Sequence, residues 1–309
     1  MPPSKDCCSR FCRDYLGFGG EPVQRFILPQ AKWPFAPVLW SVFRSFLAVY
    51  MLIWLILILT QWGQPPYYSE ADSKAKWLIY VSNWSYLVLT LYLLVMAAGT
   101  IYHHAANGCK SVEVNKVEVD VESNSEGMIP MSSTDAAGGG GDRDRGEAAA
   151  QSPRLPWYFK LAWYLQSVAY TGGIFVALNF YLLVFKPGSS TLSAFNFHVH
   201  GVNLIVIVVD VCLSATPMRV LHLIYPSSYA LVYFIFTAVY QAAGGLNEFG
   251  GTAIYPGYLD WGSVPGTSAI VAAVVVLVAG PVLHLLWYAL YRIRGAIAKR
   301  CQGCCQSFP

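Results

Sequence analysis

The stretch VLWSVFRSFLAVYMLIWLILILT, residues 38–60, carries one charged side chain, Arg44, among 23 residues. A helix needs about 20 mostly apolar residues to cross a bilayer, whose hydrocarbon core is about 30 Å thick. The stretch therefore predicts a transmembrane helix. The composition of the whole chain agrees, because 55% of its residues are hydrophobic and only 12% are charged. That is about half the charged fraction of a soluble domain.

Five further apolar runs of comparable length follow the first. They cover residues 77–101, 157–185, 194–213, 227–244 and 266–291. The predicted fold is therefore an all-α, polytopic membrane bundle of six transmembrane helices. An even number of spans places both termini on the same side of the membrane.

The basic residues predict which side that is. Fifteen of the 20 Lys and Arg residues lie in segments on the side of the termini, two lie within spans, and only Lys74, Lys76 and Lys186 lie on the opposite side. Cytoplasmic loops carry an excess of Lys and Arg. Both termini are accordingly expected in the cytoplasm, while the host membrane is left as the plasma membrane or an endomembrane.

This map divides the chain into five parts. Residues 1–36 form a cytoplasmic tail, 37–102 the first two helices, 103–155 a cytoplasmic low-complexity linker, 156–291 the other four helices, and 292–309 a Cys-rich cytoplasmic tail. The glycine-rich half of the linker is expected to be disordered. Its VEVNKVEVDVE stretch alternates with period two, which permits either a short hairpin or a solvated loop.

The balance of charges argues against a nucleic-acid partner, and the cysteines are candidates for modification or metal binding. A net charge of +3 is too balanced for a nucleic-acid binder, and no residue pattern indicates a cofactor. Cysteines close to the membrane are typical palmitate acceptors, although their spacing also resembles that of half zinc sites. The lipidation candidates are Cys7, Cys8, Cys12, Cys301, Cys304 and Cys305.

Polar residues inside the fourth span are the clearest functional signal. Asn196, His200, Asn203, Ile207 and Asp210 recur at spacings of four, three, four and three, which places them on one helical stripe. Two interpretations are open, because such residues either join helices by hydrogen bonds or form a site. An imidazole and a carboxylate on one stripe favour a site.

The depth of His200 in the membrane indicates which residue could be its partner. The second and fourth spans enter from the same face, and Ser82 and His200 each lie about five or six residues in, roughly 8 to 9 Å deep. A hydroxyl and an imidazole at one depth are the minimal parts of a nucleophile and its general base. Ser85, Asn196 and Asn203 are then the expected supporting polar groups.

Asp210 cannot complete a Ser-His-Asp triad. It lies ten residues beyond His200, roughly 15 Å deeper. His284 in the sixth span reaches about the depth of Asp210, so the sequence predicts a structural polar pair between Asp210 and His284.

Several motifs resemble the rolling stone family of multi-pass membrane proteins, which is associated with myoblast fusion. The resemblance covers about residues 30–102 and 156–292. It rests on SNW at 82–84, HGVN at 200–203, PMRVLHLIYP at 217–226, YQAAGG at 240–245 and IYPGYLDW at 254–261.

A more distant resemblance is to the androgen-induced family of membrane hydrolases, which cleave fatty acid esters of hydroxy fatty acids. Ser82 stands where that family has its Thr, His200 matches its His, Asp210 matches its acidic residue, and Tyr255 and Pro256 match its late Tyr-Pro. The resemblance implies that Ser82 and His200 are catalytic. A Ser in place of a Thr keeps the hydroxyl that is acylated.

Two functions follow as hypotheses. The first is an intramembrane Ser/His hydrolase of a lipid ester, with membrane lipids as its partners. The second is a non-catalytic membrane factor in cell fusion or adhesion, for which the aromatic loop at residues 245–265 is the candidate contact surface. Six spans without an inverted repeat do not favour a transporter.

Overall fold

The computed structural model describes residues 16–30, 36–61, 76–107, 155–185, 193–247 and 249–306. Within these ranges the protein is helical, and extended pairing is limited to the isolated bridges Pro29–Ser214 and Tyr255–Leu259. Six helical segments are long and apolar enough to cross a membrane, so the predicted all-α bundle of six spans is confirmed. These spans are Pro37–Thr60, Val81–Ala106, Trp157–Val184, Ala194–Leu213, Val220–Ala242 and Pro265–Ala298.

Three of the spans contain a π-helical turn. The α-helices are Gln24–Ile27, Ala36–Gln61, Val81–Asn107, Trp157–Asn179, Ala194–Asn196, Asn203–Leu213, Ile224–Ala242, Pro265–Val274 and Gly280–Gln306. The π-helical turns Phe180–Val184, Phe197–Val202 and Val275–Ala279 continue the third, fourth and sixth spans, and a 3-10 turn, Val220–Leu223, begins the fifth. The last π-helical turn comes just before Pro281, which has no N–H to give to the preceding turn.

The second and third spans form the centre of the bundle. The second span has 61% of its most apolar window buried, against 11% for the sixth. Tyr86, Tyr92, Trp163 and Tyr170 of the two central spans are among the largest fully buried side chains. The outer spans turn large apolar side chains outward, and Leu277 is 72% exposed. Such a surface is suited to contact with lipid chains.

Part of the predicted N-terminal tail packs into the bundle. Phe26 and Ile27 are buried in the main core, and the ring of Phe18 stacks on Tyr225 with 5.0 Å between ring centroids. Arg219 donates hydrogen bonds to the carbonyl oxygens of Gly17 and Gly19, both at 2.7 Å. The composition of residues 16–30 had given no sign of this packing.

Two buried arginines close the end of the fourth span. Arg294 donates to the carbonyl oxygens of Val211 and Ser214, and Arg44 donates to the carbonyl oxygen of Phe26 and to Ser214 Oγ. The last carbonyl groups of a helix lack intrahelical partners and attract cations. These contacts join the N-terminal segment to the first, fourth and sixth spans at one end of the bundle.

The positively charged end of the bundle allows a direct test of orientation. Arg25, Arg44, Arg219 and Arg294 meet at the end of the bundle where residues 16–30 pack, whereas Lys76 donates to the Asn247 carbonyl oxygen at the other end. We expect the first end to face the cytoplasm. In protease-protection experiments on microsomes, an epitope tag in the linker should be digested. A tag inserted after the exposed Gly250 should survive until detergent is added.

The reversed digestion pattern would overturn the predicted orientation. Residues 108–154 of the linker, and the side chains of all six terminal cysteines, lie outside the described residues. The predicted disorder of the linker and the predicted lipidation therefore stay predictions.

Candidate functional site

A cavity of about 830 Å³ lies between the spans. It extends from Tyr258, in the loop after the fifth span, inward to Pro226 and Gly280, and most of its wall is apolar. Both predicted catalytic residues, Ser82 and His200, line it. Its polar wall residues are Ser82, Asn83, Ser85, Thr171, Asn179, Ser193, Asn196 and His200, together with five tyrosines, Tyr80, Tyr229, Tyr233, Tyr255 and Tyr258.

The imidazole of His200 is held by stacking. It lies parallel to the ring of Phe180, with 3.9 Å between centroids and 1° between planes. Its Nδ1 atom is enclosed and has no hydrogen-bond partner among the described residues. A buried histidine nitrogen normally has a partner, and one without a partner invites a functional explanation.

Ser82 lies in the first turn of the helix Val81–Asn107 and is half-buried. The hydroxyl of Tyr255 accepts a hydrogen bond from the Val81 N–H at 3.2 Å and so fixes the start of this helix. The first N–H groups of a helix have no intrahelical acceptors and form its positive end. Within the described part of the chain no hydrogen bond joins Ser82 to His200, although both face the same cavity.

The structure brings two of the predicted supporting residues together. Asn203 Nδ2 lies 3.5 Å from Ser85 Oγ, and both side chains are buried. Glycines of the third span make this approach feasible, because a Cβ on Gly172 would lie 3.3 Å from Ser85 Oγ and one on Gly173 would lie 2.2 Å from Ile207. The third supporting residue, Asn196, is on the cavity wall but is mainly exposed.

A π-helical turn at Phe197–Val202 alters the predicted stripe. Asn203, Ile207 and Asp210 are buried as expected, but the i to i+5 hydrogen bonding shifts the residues before them. His198, which the 3.6-residue period placed off the stripe, is consequently buried as well.

His198 is the polar residue that the sequence interpretation missed. Its ring nitrogens lie 3.0 Å from the hydroxyls of Tyr86 and Tyr50, and its ring stacks on Trp54 with 4.2 Å between centroids. The sequence signal was the spacing of Tyr50 and Trp54, which share one face of the first span. These contacts anchor the π-helical turn that carries His200.

The predicted pair of Asp210 and His284 is wrong, because the two residues have different partners. Asp210 Oδ2 accepts hydrogen bonds from the hydroxyls of Tyr92 and Tyr170, each at 2.5 Å. His284 Nε2 lies 3.0 Å from the carbonyl oxygen of Arg219. Similar depth in the membrane was not enough to predict a contact between the two residues. The central spans place two tyrosines beside the carboxylate instead.

A compact loop covers the cavity at the end of the bundle opposite residues 16–30. Gly257 adopts a φ of +83°, which favours glycine, in the turn closed by the Tyr255–Leu259 bridge. Asp260 Oδ1 accepts hydrogen bonds from the Ser263 N–H and the Gln241 amide. These bonds, that of the Ser263 N–H above all, hold the pKa of Asp260 below its ordinary value.

The structure gives no candidate metal centre within the residues it describes. No group of three or more His, Cys, Asp or Glu side chains in those ranges is arranged to hold an ion. The polar side chains on the described cavity wall are hydroxyls, amides and one imidazole.

Two comparisons with known proteins agree on the family. The profile of the family described as protein rolling stone matches residues 144–304, just over half of the chain. Protein rolling stone of Drosophila melanogaster is 21% identical over 296 residues, which cover 94% of this chain and 91% of that protein. No solved structure matches. The chain belongs to the rolling stone family of membrane proteins.

Proposed function

We propose that this protein is a membrane-embedded hydrolase of lipid esters, with Ser82 as its nucleophile and His200 as its general base. The observation that carries the proposal is that the two side chains line one cavity, where His200 Nδ1 is enclosed without a hydrogen-bond partner among the described residues. The apolar walls suit the acyl chains of a lipid, which would enter from the bilayer.

The chemistry requires only groups on this wall and water. Ser82 Oγ attacks the ester carbonyl carbon while its proton passes to His200, and the alcohol then leaves with that proton. Water next attacks the acyl-serine, gives a proton to His200, and releases the fatty acid as Ser82 regains its hydrogen. Because Nδ1 of His200 is enclosed, the proposal assigns the proton transfers to Nε2.

The position of Ser82 supports the stabilisation of the oxyanion. Negative charge that develops on the carbonyl oxygen would lie near the positive end of the helix Val81–Asn107. The Ser85 and Asn203 pair is about one turn away and supplies further donors. Catalytic hydrogen bonds that are long without substrate commonly tighten when it binds, so Ser82 and His200 are expected to close on an ester.

Hydrolysis is testable with the purified full chain in lipid nanodiscs. We expect release of oleate from an oleoyl ester and covalent uptake of a lipophilic fluorophosphonate, both lost on heat denaturation. Folded protein that releases no oleate and takes up no fluorophosphonate would refute the hydrolase proposal.

The second candidate is a non-catalytic role in cell fusion or adhesion. It is favoured by the exposure of two large aromatic residues on the covering loop, Phe249 at 76% and Tyr258 at 62%. Exposed aromatic side chains of this kind are typical anchors of protein interfaces. In a cell-fusion assay, this alternative requires that Ser82→Ala keep full function while Phe249→Ser with Tyr258→Ser loses it.

A further inference from the structure

The cavity wall carries no ionic side chain among the residues that the structure describes. Its polar groups are the hydroxyls of Ser, Thr and Tyr, the amides of Asn and the imidazole of His200. Arg44, Arg219 and Arg294, the arginines nearest the bundle interior, donate instead to backbone carbonyl oxygens at the end where residues 16–30 pack. None of the three lines the cavity.

One wall hydroxyl is unexpectedly free. Hydroxyls inside membrane helices usually bond back to a carbonyl oxygen one turn earlier. Ser167, Thr90 and Thr100 all do so, with distances of 3.2, 2.9 and 2.7 Å. Thr171 lies one turn after Ser167, is only 3% exposed, and its Oγ1 has no hydrogen-bond partner among the described residues. It also lines the cavity.

We propose that the cavity binds electrically neutral lipid esters, that Thr171 donates a hydrogen bond to the polar head of the lipid, and that lipids with a phosphate or a free carboxylate are disfavoured. This inference rests on the proposed function and names its substrate class. A neutral ester or alcohol is satisfied by hydroxyl and amide groups. A phosphate or carboxylate loses its hydration in the cavity without gaining a cation, which is costly.

The hydrogen-bond role of Thr171 explains its free hydroxyl. An unbonded hydroxyl in an enclosed site is unfavourable in the empty protein and becomes satisfied when a ligand accepts from it. The neighbouring Gly172 keeps the wall open, because a side chain there would extend towards Ser85 Oγ. In this proposal Thr171 donates its hydrogen bond to the polar head of the lipid, which lies against the same part of the wall as Ser85.

The inference is tested by binding alone, so that it does not depend on turnover. The full-length Ser82→Ala protein in detergent micelles is loaded with a fluorescent diacylglycerol, which is then displaced with dioleoylglycerol, dioleoyl phosphatidic acid or oleate. Dioleoylglycerol and dioleoyl phosphatidic acid share both oleoyl esters and differ in the phosphate, whereas oleate has one such chain and a free carboxylate. We expect dioleoylglycerol to bind at least about tenfold more tightly than either anionic lipid, as one unpaired charge requires.

Matched variants measure the contribution of the Thr171 hydroxyl to lipid binding. Thr171→Val should weaken dioleoylglycerol binding by about fivefold, the value of one neutral hydrogen bond. Thr171→Ser should bind normally, and so should Ser167→Ala, whose hydroxyl is bonded to Trp163 and does not line the cavity. Asn179→Lys adds a cation to the wall and should strengthen oleate binding, whereas Asn179→Gln should not.

The outcomes separate the two proposals. Phosphatidic acid or oleate binding as tightly as dioleoylglycerol overturns the neutral-lipid inference, whether or not the wild-type protein hydrolyses esters. Equal affinities of Thr171→Val and Thr171→Ser overturn the role of Thr171. Selective binding of dioleoylglycerol, with no turnover of any ester by the wild-type protein, supports this inference and refutes only the hydrolase proposal.

Discussion

Ser82→Ala will abolish covalent labelling by a lipophilic fluorophosphonate and lower oleate release by on the order of 10³-fold or more. Such a loss is expected when the atom that becomes acylated is removed, because the remaining site retains only binding and oxyanion stabilisation. Ser82→Thr should keep part of the labelling, since its hydroxyl survives. The measurements are gel fluorescence of the labelled protein and the rate of oleate release in nanodiscs.

His200→Ala should be as damaging as Ser82→Ala, and the double variant should be little worse than either. Residues that act as one catalytic unit show this strong non-additivity. Ser45→Ala is the matched control, because that hydroxyl bonds to the carbonyl oxygen of Ser41 in the first span and does not line the cavity. Multiplicative losses from the two single changes would show that Ser82 and His200 do not act together.

Changes to Ser85 and Asn203 should have smaller effects than changes to Ser82 and His200, the proposed catalytic pair. They lie 3.5 Å apart and Ser85 lines the cavity, so either change is expected to disturb the placement of the ester carbonyl. Both changes should lower kcat more than they raise KM, because a positioning group acts mainly on the transition state.

Hydropathy predicted the spans well, because crossing a bilayer demands both length and internally bonded backbone. The fourth span has the predicted bounds, Ala194–Leu213. The fifth was predicted to begin after Pro226 but begins at Val220. Pro226 lies within the first turn of the helix Ile224–Ala242, where the missing N–H has no acceptor to lose.

The candidate site was only partly predictable, because depth can be counted along one helix whereas lateral neighbours depend on packing. Counting residues placed Ser82 and His200 at one depth, and both line the cavity. A π-helical turn has no reliable sequence signal, so a regular helical period leaves the buried His198 off the polar stripe. Thr171 was overlooked because its residue type usually bonds to its own helix.

The partners of the buried Asp210 carboxylate were even harder to predict, because they too depend on how the spans pack. Its true partners, Tyr92 and Tyr170, are ordinary aromatic residues of the two central spans, and only the close packing of those spans with the fourth brings their hydroxyls to Asp210. Trp287 Nε1 donates to the carbonyl oxygen of Tyr170 at 2.7 Å and so ties the sixth span to the same group. The network joins the second, third, fourth and sixth spans.

Removing both tyrosine hydroxyls should therefore destabilise the fold severely. Each of Tyr92→Phe and Tyr170→Phe deprives a buried carboxylate of one donor, at a cost of about 1 to 3 kcal/mol. The double change leaves that carboxylate without its two donors, and the expected loss rises to about 3 to 5 kcal/mol. Unfolding of the purified protein by denaturant, followed by tryptophan fluorescence, gives these free energies. Tyr240→Phe, which removes an exposed hydroxyl bonded to Leu246, is the control and should cost little.

Removing the carboxylate as well should restore much of this loss. Asp210→Leu in the Tyr92→Phe, Tyr170→Phe background removes the unpaired buried carboxylate, so the triple variant is expected to be more stable than the double variant. A double-mutant cycle between Asp210→Asn and His284→Gln should give a coupling energy near zero, because His284 contacts Arg219 instead. A triple variant that is less stable than the double, or a coupling above about 1 kcal/mol between Asp210 and His284, would contradict the network, since contacting polar partners show couplings of that size.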